Sequence, residues 1–271
     1  MGKPLLKPTS GADLLSGPAP KELILLGGKD GIGKSSAVAS LASWVSQIAP
    51  DARFFVVDTE NKFPNVYRAW GTEAPTNVLY YKTNDMDAVI AAFDQVLEQH
   101  KPGDWVAVES MAWGWEYAQS LGYEAVTGLK KPQYLEKRRQ VVGKMPTPTP
   151  HPDELWNITK NAHDTAFLDK MCAVEDLNII MTTIIKKPPR EGGVARENKT
   201  RKEMREEFGI DVGLGGAPSL PFYVSTLCLL DREKGIVSCR VLRDDKSGKA
   251  NTEFQTADWK SWGLNFWENY R

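Results

Sequence analysis

The segment "KELILLGGKDGIGKSS" (residues 21–36) places a glycine-rich turn between an apolar run and a stretch of small residues. The spacing G-x-x-x-x-G-K-S is completed by Gly28, Gly33, Lys34 and Ser35. The apolar run is typical of a buried strand, and the residues after the turn favour a helix. A strand, a tight glycine-rich loop and a helix in this order predict a phosphate-binding loop.

This loop predicts a bound nucleoside triphosphate with Mg²⁺. Glycine has no Cβ, so the backbone can approach a phosphate chain closely and direct its N–H groups at it. The Lys34 ammonium can reach the β- and γ-phosphates, and the Ser35 hydroxyl can bind Mg²⁺. The predicted nucleotide-binding residues of the loop are Gly28, Lys29, Asp30, Gly31, Ile32, Gly33, Lys34, Ser35 and Ser36.

Length and composition fit one large α/β domain or a domain with an appendage. The chain has 271 residues, of which 41% are hydrophobic and 25% are charged. Residues 1–20, rich in Pro, Gly and Ser, are expected to form a flexible arm, and residues 21–271 a single domain. The formal net charge of −1 means that a polyanionic partner would need a local basic patch.

The cellular environment is inferred from the cysteines and from apolar runs. The three cysteines have unrelated spacings, which favours reduced thiols over disulfides or zinc ligands. No signal peptide is recognisable at the start of the sequence, and no apolar run approaches the length of a membrane span. We therefore expect a cytoplasmic protein with no membrane partner.

Alternation of apolar runs with helical stretches predicts a three-layer α/β/α fold. The expected helices are 36–49, 85–100 (capped by Asp85) and 153–176. The expected strands are 53–60, 77–83, 104–110 and 178–185, followed by a hairpin of 222–231 and 235–244. The first four strands are continuously apolar, which indicates a mostly parallel sheet covered on both faces, with the hairpin antiparallel at its edge.

Polar side chains near the ends of these strands are candidates for the chemistry. Asp58 and Glu60 end one expected strand, and Glu109 ends another. An acidic residue beside the phosphates can bind magnesium or its water shell, or it can orient the attacking water. The structural alternative is that Asp58 and Glu109 only cap strand ends, and the pattern alone leaves both interpretations open.

The run from the glycine-rich loop through "FFVVDTENKFPNVYRAWG" resembles the core of RecA-type ATPases. Glu60 stands at the position of the family's water-activating glutamate, two residues after Asp58. "WVAVES" resembles the Walker B strand, with Glu109 where an aspartate is usual. "NIIMTTIIKK" resembles the strand before the second DNA-binding loop, and Thr183 stands at its γ-phosphate sensor position, where a glutamine is usual.

The resemblance covers roughly residues 21 to 245 and is closest to short bacteriophage RecA-like ATPases of single-strand annealing and recombination. It implies a P-loop NTPase fold, ATP and Mg²⁺ as cofactors, and the host cytoplasm as location. Implied roles are catalysis by Lys34 and Glu60, metal binding by Ser35, Asp58 and Glu109, and a γ-phosphate contact by Thr183.

The same resemblance implies a homo-oligomer, either a ring or a filament. In such assemblies the ATP site lies between subunits, and Lys246 and Lys249 match the region that supplies lysines to the neighbouring site. The alternative is a solvated turn in which Asp244 and Asp245 balance these charges.

Two basic segments predict single-stranded DNA as a partner. Residues 130–144 hold six basic residues against one acid, and residues 186–205 hold eight against three. Flexible basic loops suit a phosphate backbone, although solvated surface loops are the alternative. The predicted DNA-binding residues are Lys130, Lys131, Tyr134, Lys137, Arg138, Arg139, Lys186, Lys187, Arg190, Arg196, Lys199, Arg201, Lys202 and Arg205.

Three functions follow from these features. The first is an ATP-dependent DNA-binding protein of phage recombination, single-strand annealing or replication. The second is a small-molecule or nucleotide kinase, in which segment 186–205 would be a lid, although the sequence identifies no acceptor pocket. The third is a motor ATPase that works as a subunit of a larger complex.

Overall fold

The structure of the protein is a computed structural model. It describes residues 21–83, 85–142, 153–186, 204–206, 213–246, 250 and 252–256. The expected arm, residues 1–20, lies outside these ranges.

Within the described residues, nine strands form one mixed sheet. They are β1 (Leu23–Gly28), β2 (Phe54–Asp58), β3 (Val78–Lys82), β4 (Trp105–Glu109), β5 (Asn178–Lys186), β6 (Gly213–Leu214), β7 (Thr226–Glu233), β8 (Ile236–Asp244) and β9 (Glu253–Thr256). The strand order is β3-β2-β4-β5-β1-β7-β8-β9, and the short β6 pairs with β5. The six strands from β3 to β7 are parallel, so their carboxyl ends lie at one edge.

Helical segments connect most of the parallel strands. They are α1 (Lys34–Ile48), α2 (Phe63–Trp70), α3 (Met86–Gln99), α4 (Met111–Thr127), α5 (Lys131–Val142), α6 (Asp153–His163), a π-helical turn (Asp164–Leu168), α7 (Asp169–Ala173) and α8 (Leu220–Tyr223). Asp85 caps α3 as expected, because its carboxylate accepts a hydrogen bond from the Ala88 N–H at 2.8 Å. In the described ranges no helix has the length and apolar character needed to cross a membrane.

Helices cover both faces of the central strands, whereas the edge strand β3 is only partly buried, against the expectation from its apolar sequence. Because side chains alternate along a strand, Leu25 of β1 packs with α3 and α4, whereas Leu26 packs with α1 and α2. Burial of each such side chain contributes about 1.5–3 kcal/mol to the folding free energy. The two cores lie on opposite faces of the central strands, and the predicted α/β class with a mostly parallel sheet is confirmed.

The basic segment 130–144 differs from the expected loop, because residues 131–142 form helix α5. Lysine, glutamine, glutamate, leucine and arginine all favour helices. Pro132 lies in the first turn, where its missing N–H costs no hydrogen bond. The first of the two predicted DNA-binding loops is therefore a helix.

The predicted hairpin is confirmed, but it does not form the edge of the sheet. It comprises β7 and β8 and turns at Lys234 and Gly235, whose φ angles of 50° and 87° are both positive, as in the hairpin turns that match strand twist. Residues 220–223 form α8 instead of extending β7 backwards. Strand β9 pairs outside β8 and takes the edge position.

Candidate nucleotide-binding site

The glycine-rich loop connects β1 to α1 at the carboxyl edge of the sheet. Gly31 and Gly33 have φ angles of 71° and 106°, in the left-handed region that glycine adopts without strain. A Cβ on Gly28 would lie 2.7 Å from Cγ2 of Ile32, so the tight turn also requires glycine there. No side chain caps the first turn of α1, so its N–H groups and the helix dipole can receive an anion.

Lys34 is folded back across this loop. Its ammonium donates hydrogen bonds to the carbonyl oxygens of Gly28 at 2.9 Å and Lys29 at 3.0 Å. Burial lowers the pKa of Lys34, and the carboxylates of Asp30, Glu60 and Glu109 only partly offset this effect. A phosphate beside Lys34 would stabilise its charged form, which is the response expected of an anion-binding lysine.

A hydrogen bond joins the loop to the end of β4. The Ser35 hydroxyl donates to Oε2 of Glu109 at 2.8 Å, although the two residues lie 74 positions apart in the sequence. Glu109 is only 4% exposed, and its Oε1 has no hydrogen-bond partner among the described residues. A hydroxyl oxygen and an unpaired carboxylate oxygen, beside a loop that can hold phosphates, fit the oxygen ligands that Mg²⁺ prefers.

The charge state of Glu109 depends on its surroundings. Burial, reinforced by the nearby charges of Asp58 and Glu60, raises the pKa of Glu109 to about 8, although the Ser35 hydrogen bond and Lys34 oppose the rise. In the described part of the chain, no group of three or more His, Cys, Asp or Glu side chains is arranged so that it could hold a metal ion by itself. Mg²⁺ does not need such a cage, because it keeps several waters and binds substrate phosphates.

The raised pKa of Glu109 predicts a stability that falls with pH. The ordinary value is 4.5, so between about pH 5 and pH 8 the folded state binds more protons than the unfolded state. The free energy of unfolding should therefore decrease as pH rises through this window. Glu109→Gln cannot titrate and should flatten the decrease, measured by urea unfolding in the presence of a chelator. Glu98→Gln, at an exposed position, is the control, and equal slopes for both variants would contradict the prediction.

Glu60 lies on the other side of the same cavity and is ionised. Its Oε2 pairs with the Lys62 ammonium, and its Oε1 accepts a long hydrogen bond of 3.5 Å from the Trp113 indole. Burial acts to raise the pKa of Glu60, but Lys62 and Trp113 outweigh it, and the net pKa lies below the ordinary value. The pKa values of two neighbouring carboxyl groups are thus shifted in opposite directions, a pattern found at acid–base sites.

Asp58 organises the turn that carries Glu60. Its Oδ1 accepts hydrogen bonds from the N–H groups of Glu60 at 2.8 Å and Asn61 at 3.0 Å, and its Oδ2 accepts one from Phe63 at 2.9 Å. The side chain is fully buried and does not line the cavity. These contacts correspond to the structural alternative for Asp58, and the direct metal contact expected from the sequence has no support here.

Thr182, not Thr183, faces the cavity from β5. The Thr183 hydroxyl donates to the carbonyl oxygen of Gly215 at 2.7 Å and is completely buried. Adjacent residues of a strand point to opposite faces, so a shift of one position moves the side chain to the other side of the sheet. The Thr183 hydroxyl, for which the sequence predicts a γ-phosphate contact, is therefore directed away from the cavity, and the residue of β5 that lines the cavity is Thr182.

These elements enclose a cavity of about 310 Å³. The predicted residues that line it are Asp30, Gly31, Gly33, Lys34, Ser35, Ser36, Glu60 and Glu109. Sequence reasoning missed Lys62, Asn65, Val66 and Ala69, and it assigned no role to Ser110 and Thr182 near the strand ends. Only Lys62 had a visible signal, because it follows Glu60 by two positions in "DTENK".

Two loop residues direct their side chains elsewhere. Lys29 pairs with Asp231 of β7 at 3.3 Å, with both side chains exposed. Ile32 packs into the core between the sheet and α1. Ile32 can therefore contact a nucleotide only through its backbone, and the Lys29 side chain would have to leave Asp231 to do so.

Comparisons with known protein families and curated proteins assign no function to this chain. No known family model matches the chain, and no curated protein matches it. A function must therefore be inferred from the contacts around Lys34, Ser35, Glu60 and Glu109.

The structure divides the predicted DNA-binding residues into three groups. Lys130, Lys137, Arg139 and Arg205 are exposed. Lys131 pairs with Glu116 at 2.6 Å, and Tyr134 packs on Tyr123 with ring centroids 5.1 Å apart. The third group lies outside the parts of the chain, or the side chains, that the structure describes: Arg138, Lys186, Lys187, Arg190, Arg196, Lys199, Arg201 and Lys202.

Of the two lysines expected to act on a neighbouring subunit, Lys246 is described and Lys249 lies outside the described residues. Lys246 pairs with Glu22 at 3.3 Å, just before β1 begins. Lys34 follows the other end of β1, so Lys246 lies at the opposite edge of the sheet from its own glycine-rich loop. A contact with a phosphate would have to be made in another chain and in competition with Glu22.

Proposed function

We propose that this protein is a RecA-like P-loop ATPase that binds ATP with Mg²⁺ and hydrolyses it. The hydrogen bond between Ser35 and Glu109 carries the proposal, since it joins the phosphate loop to the acidic strand end and leaves one buried carboxylate oxygen unpaired. The order strand, glycine-rich loop and helix gives further support.

In this mechanism the loop N–H groups and Lys34 hold the β- and γ-phosphates. Ser35 and Glu109 would bind Mg²⁺, which neutralises phosphate charge when bound. Glu60 orients a water molecule and accepts its proton. The water oxygen bonds to the γ-phosphorus as the bond to the β–γ bridging oxygen breaks, releasing ADP and inorganic phosphate.

Release of inorganic phosphate from ATP tests the proposal directly. We expect turnover that requires Mg²⁺ and that rises when single-stranded DNA is added. Turnover with Mg²⁺ but without any response to DNA would retain the ATPase and remove the DNA partner. Absence of both ATP binding and turnover would exclude the function.

We also propose single-stranded DNA as the partner, in phage recombination, annealing or replication. Helix α5 and the residue before it present Lys130, Lys137 and Arg139 to solvent, while Glu136 is the one acid of segment 130–144. Trp113, 55% exposed, lies between this helix and Glu60 and lines cavities shared with both. Exposed cations with an aromatic platform suit a single strand, whose bases stack and whose phosphates release counterions.

The salt dependence of the affinity for single-stranded DNA should show whether binding is electrostatic. With about four to six phosphates contacted, log affinity should fall against log salt with a slope of about −3 to −4, at ~0.7 per contact. The double variant Lys137→Ala with Arg139→Ala should flatten this slope by about 1.4. Lys82→Ala with Lys101→Ala removes the same charge from exposed positions outside segment 130–144 and is the control. Failure to retain a labelled oligonucleotide at low salt with a non-hydrolysable ATP analogue would exclude DNA.

A second candidate, a small-molecule kinase, is favoured by one observation. A cavity of about 260 Å³ adjoins the site, shares Asp30, Glu60 and Ser110 with it, and extends to Trp113 and Glu116. A small hydroxyl-bearing acceptor in this cavity would lie beside the proposed base. A kinase would consume ATP only with its acceptor and would ignore DNA, so the phosphate-release assay separates the two functions.

A further inference from the structure

Lys62 is a second cation of the nucleotide cavity, and the sequence patterns assign it no role. It is the residue before α2, and its side chain lines the cavity together with Lys34 and Ser35. Its ammonium forms an ion pair with Oε2 of Glu60. The side chain is 66% exposed, so packing does not fix its position.

The two lysines of the cavity are held differently. Lys34 is bound to carbonyl oxygens of the loop, whereas the partner of Lys62 is the carboxylate proposed to activate water. The two ammonium groups repel each other, and the charge of Lys62 therefore helps to lower the pKa of Lys34. A polyanion between them would replace this repulsion by attraction to both.

The arrangement of Glu60 constrains what it can do while Lys62 is bound. One carboxylate oxygen is paired with Lys62 and the other accepts the Trp113 hydrogen bond. An ion-paired carboxylate is a weaker base, and fewer of its oxygen lone pairs are available to accept a hydrogen bond from water. Transfer of Lys62 to another anion would free one oxygen of Glu60 without moving the backbone turn, which Asp58 holds.

We propose that Lys62 binds the γ-phosphate of the nucleotide held by its own chain, and that this contact releases Glu60 for water. This inference rests on the proposed ATPase function and goes beyond it by naming a phosphate-sensing residue. The ion pair then keeps Glu60 occupied until a triphosphate is present. A diphosphate lacks the γ-phosphate and leaves the pair intact.

Comparison of triphosphate and diphosphate affinity tests this role. Calorimetric titrations with Mg²⁺ would use ADP and a non-hydrolysable ATP analogue. Lys62→Ala should lose about tenfold or more in affinity for the analogue, as expected for a charged hydrogen bond, and should bind ADP within about twofold of wild type. Lys62→Arg keeps the charge and should retain most of the discrimination. Lys82→Ala, an exposed lysine at the end of β3, is the control and should match wild type.

The outcomes separate this inference from the ATPase itself. If the wild-type protein binds neither nucleotide, the proposed function and the role of Lys62 both fall. A second outcome is that the wild type binds both nucleotides while Lys62→Ala lowers the two affinities equally or leaves both unchanged. In that case Lys62 does not sense the γ-phosphate, and only the inference falls. Turnover gives a second readout: Lys62→Ala should lose about 10²-fold, the effect of removing one transition-state donor.

Mixing two inactive variants shows whether Lys62 acts in its own chain or on the site of a neighbouring subunit. If Lys62 supplies the cation in the same chain, its loss cannot be restored by mixing the variant with a Glu60→Gln protein. Restored turnover in the mixture would mean that Lys62 acts on the neighbouring site and would overturn the proposal.

Discussion

Lys34→Ala should abolish nucleotide binding while leaving the fold intact. The substitution removes the cation that lies over the loop, and the remaining N–H groups carry only partial charges. We expect ATP turnover to fall by about 10³-fold or more. The free energy of unfolding should change by less than about 2 kcal/mol, since two hydrogen bonds to carbonyl groups are lost together with a half-buried charge.

Calorimetric binding and thermal unfolding of the same samples check both parts of this prediction. Lys82→Ala removes an equal charge at the same edge of the sheet without lining the cavity, so it should bind ATP as the wild type does. A folded Lys34→Ala protein with unchanged turnover would show that the loop is not the phosphate site. The roles proposed for Glu60 and Lys62 would then lose their basis.

The loop and the central strands are predictable from sequence because the signals that specify them are local. The glycines around Lys34 are close in sequence, and strands buried on both faces, such as β1 and β2, are apolar at almost every position. The contact between Ser35 and Glu109 spans 74 positions, and it becomes predictable only because parallel strands end at one edge. The α/β class and half of the cavity follow from these regularities.

The error at Thr183 has a different origin. An apolar strand buried on both faces carries no alternation of polar and apolar residues, so nothing in "NIIMTTII" indicates which threonine faces which side. The register with β1 resolves this, because Thr182 pairs with Leu26 on the α1 face and Thr183 pairs with Gly27. Only the three-dimensional pairing contains that information.

Helix α5 was expected to be a loop because its sequence is highly charged. Basic residues lie on most sides of the segment, so it lacks the apolar stripe by which amphipathic helices are recognised. Intrinsic propensity was the better guide, since after Pro132 the segment consists mainly of good helix formers. The contacts of Lys62 and Trp113 with Glu60 could not be predicted either, because each depends on the position of the Glu60 side chain in three dimensions.

Glu60→Gln should separate binding from hydrolysis. The amide keeps the size and shape of the side chain but cannot accept a proton from water, so turnover should fall by about 10²-fold or more. The turn should persist, because Asp58 accepts hydrogen bonds from backbone N–H groups and does not need the Glu60 carboxylate. ATP affinity should stay within a few-fold of wild type or become slightly tighter, since Lys62 loses its competing partner.

Single-turnover hydrolysis and equilibrium binding measure the two effects separately, and Glu73→Gln at an exposed position controls for the lost charge. Glu109→Gln should behave differently, because the buried oxygen beside Ser35 is proposed to act through Mg²⁺. It should raise the Mg²⁺ concentration needed for nucleotide binding, which Glu60→Gln should leave unchanged. If Glu60→Gln were silent and Glu109→Gln inactive at saturating Mg²⁺, Glu109 would be the residue that acts on the water, and the roles proposed for the two carboxyl groups would be exchanged.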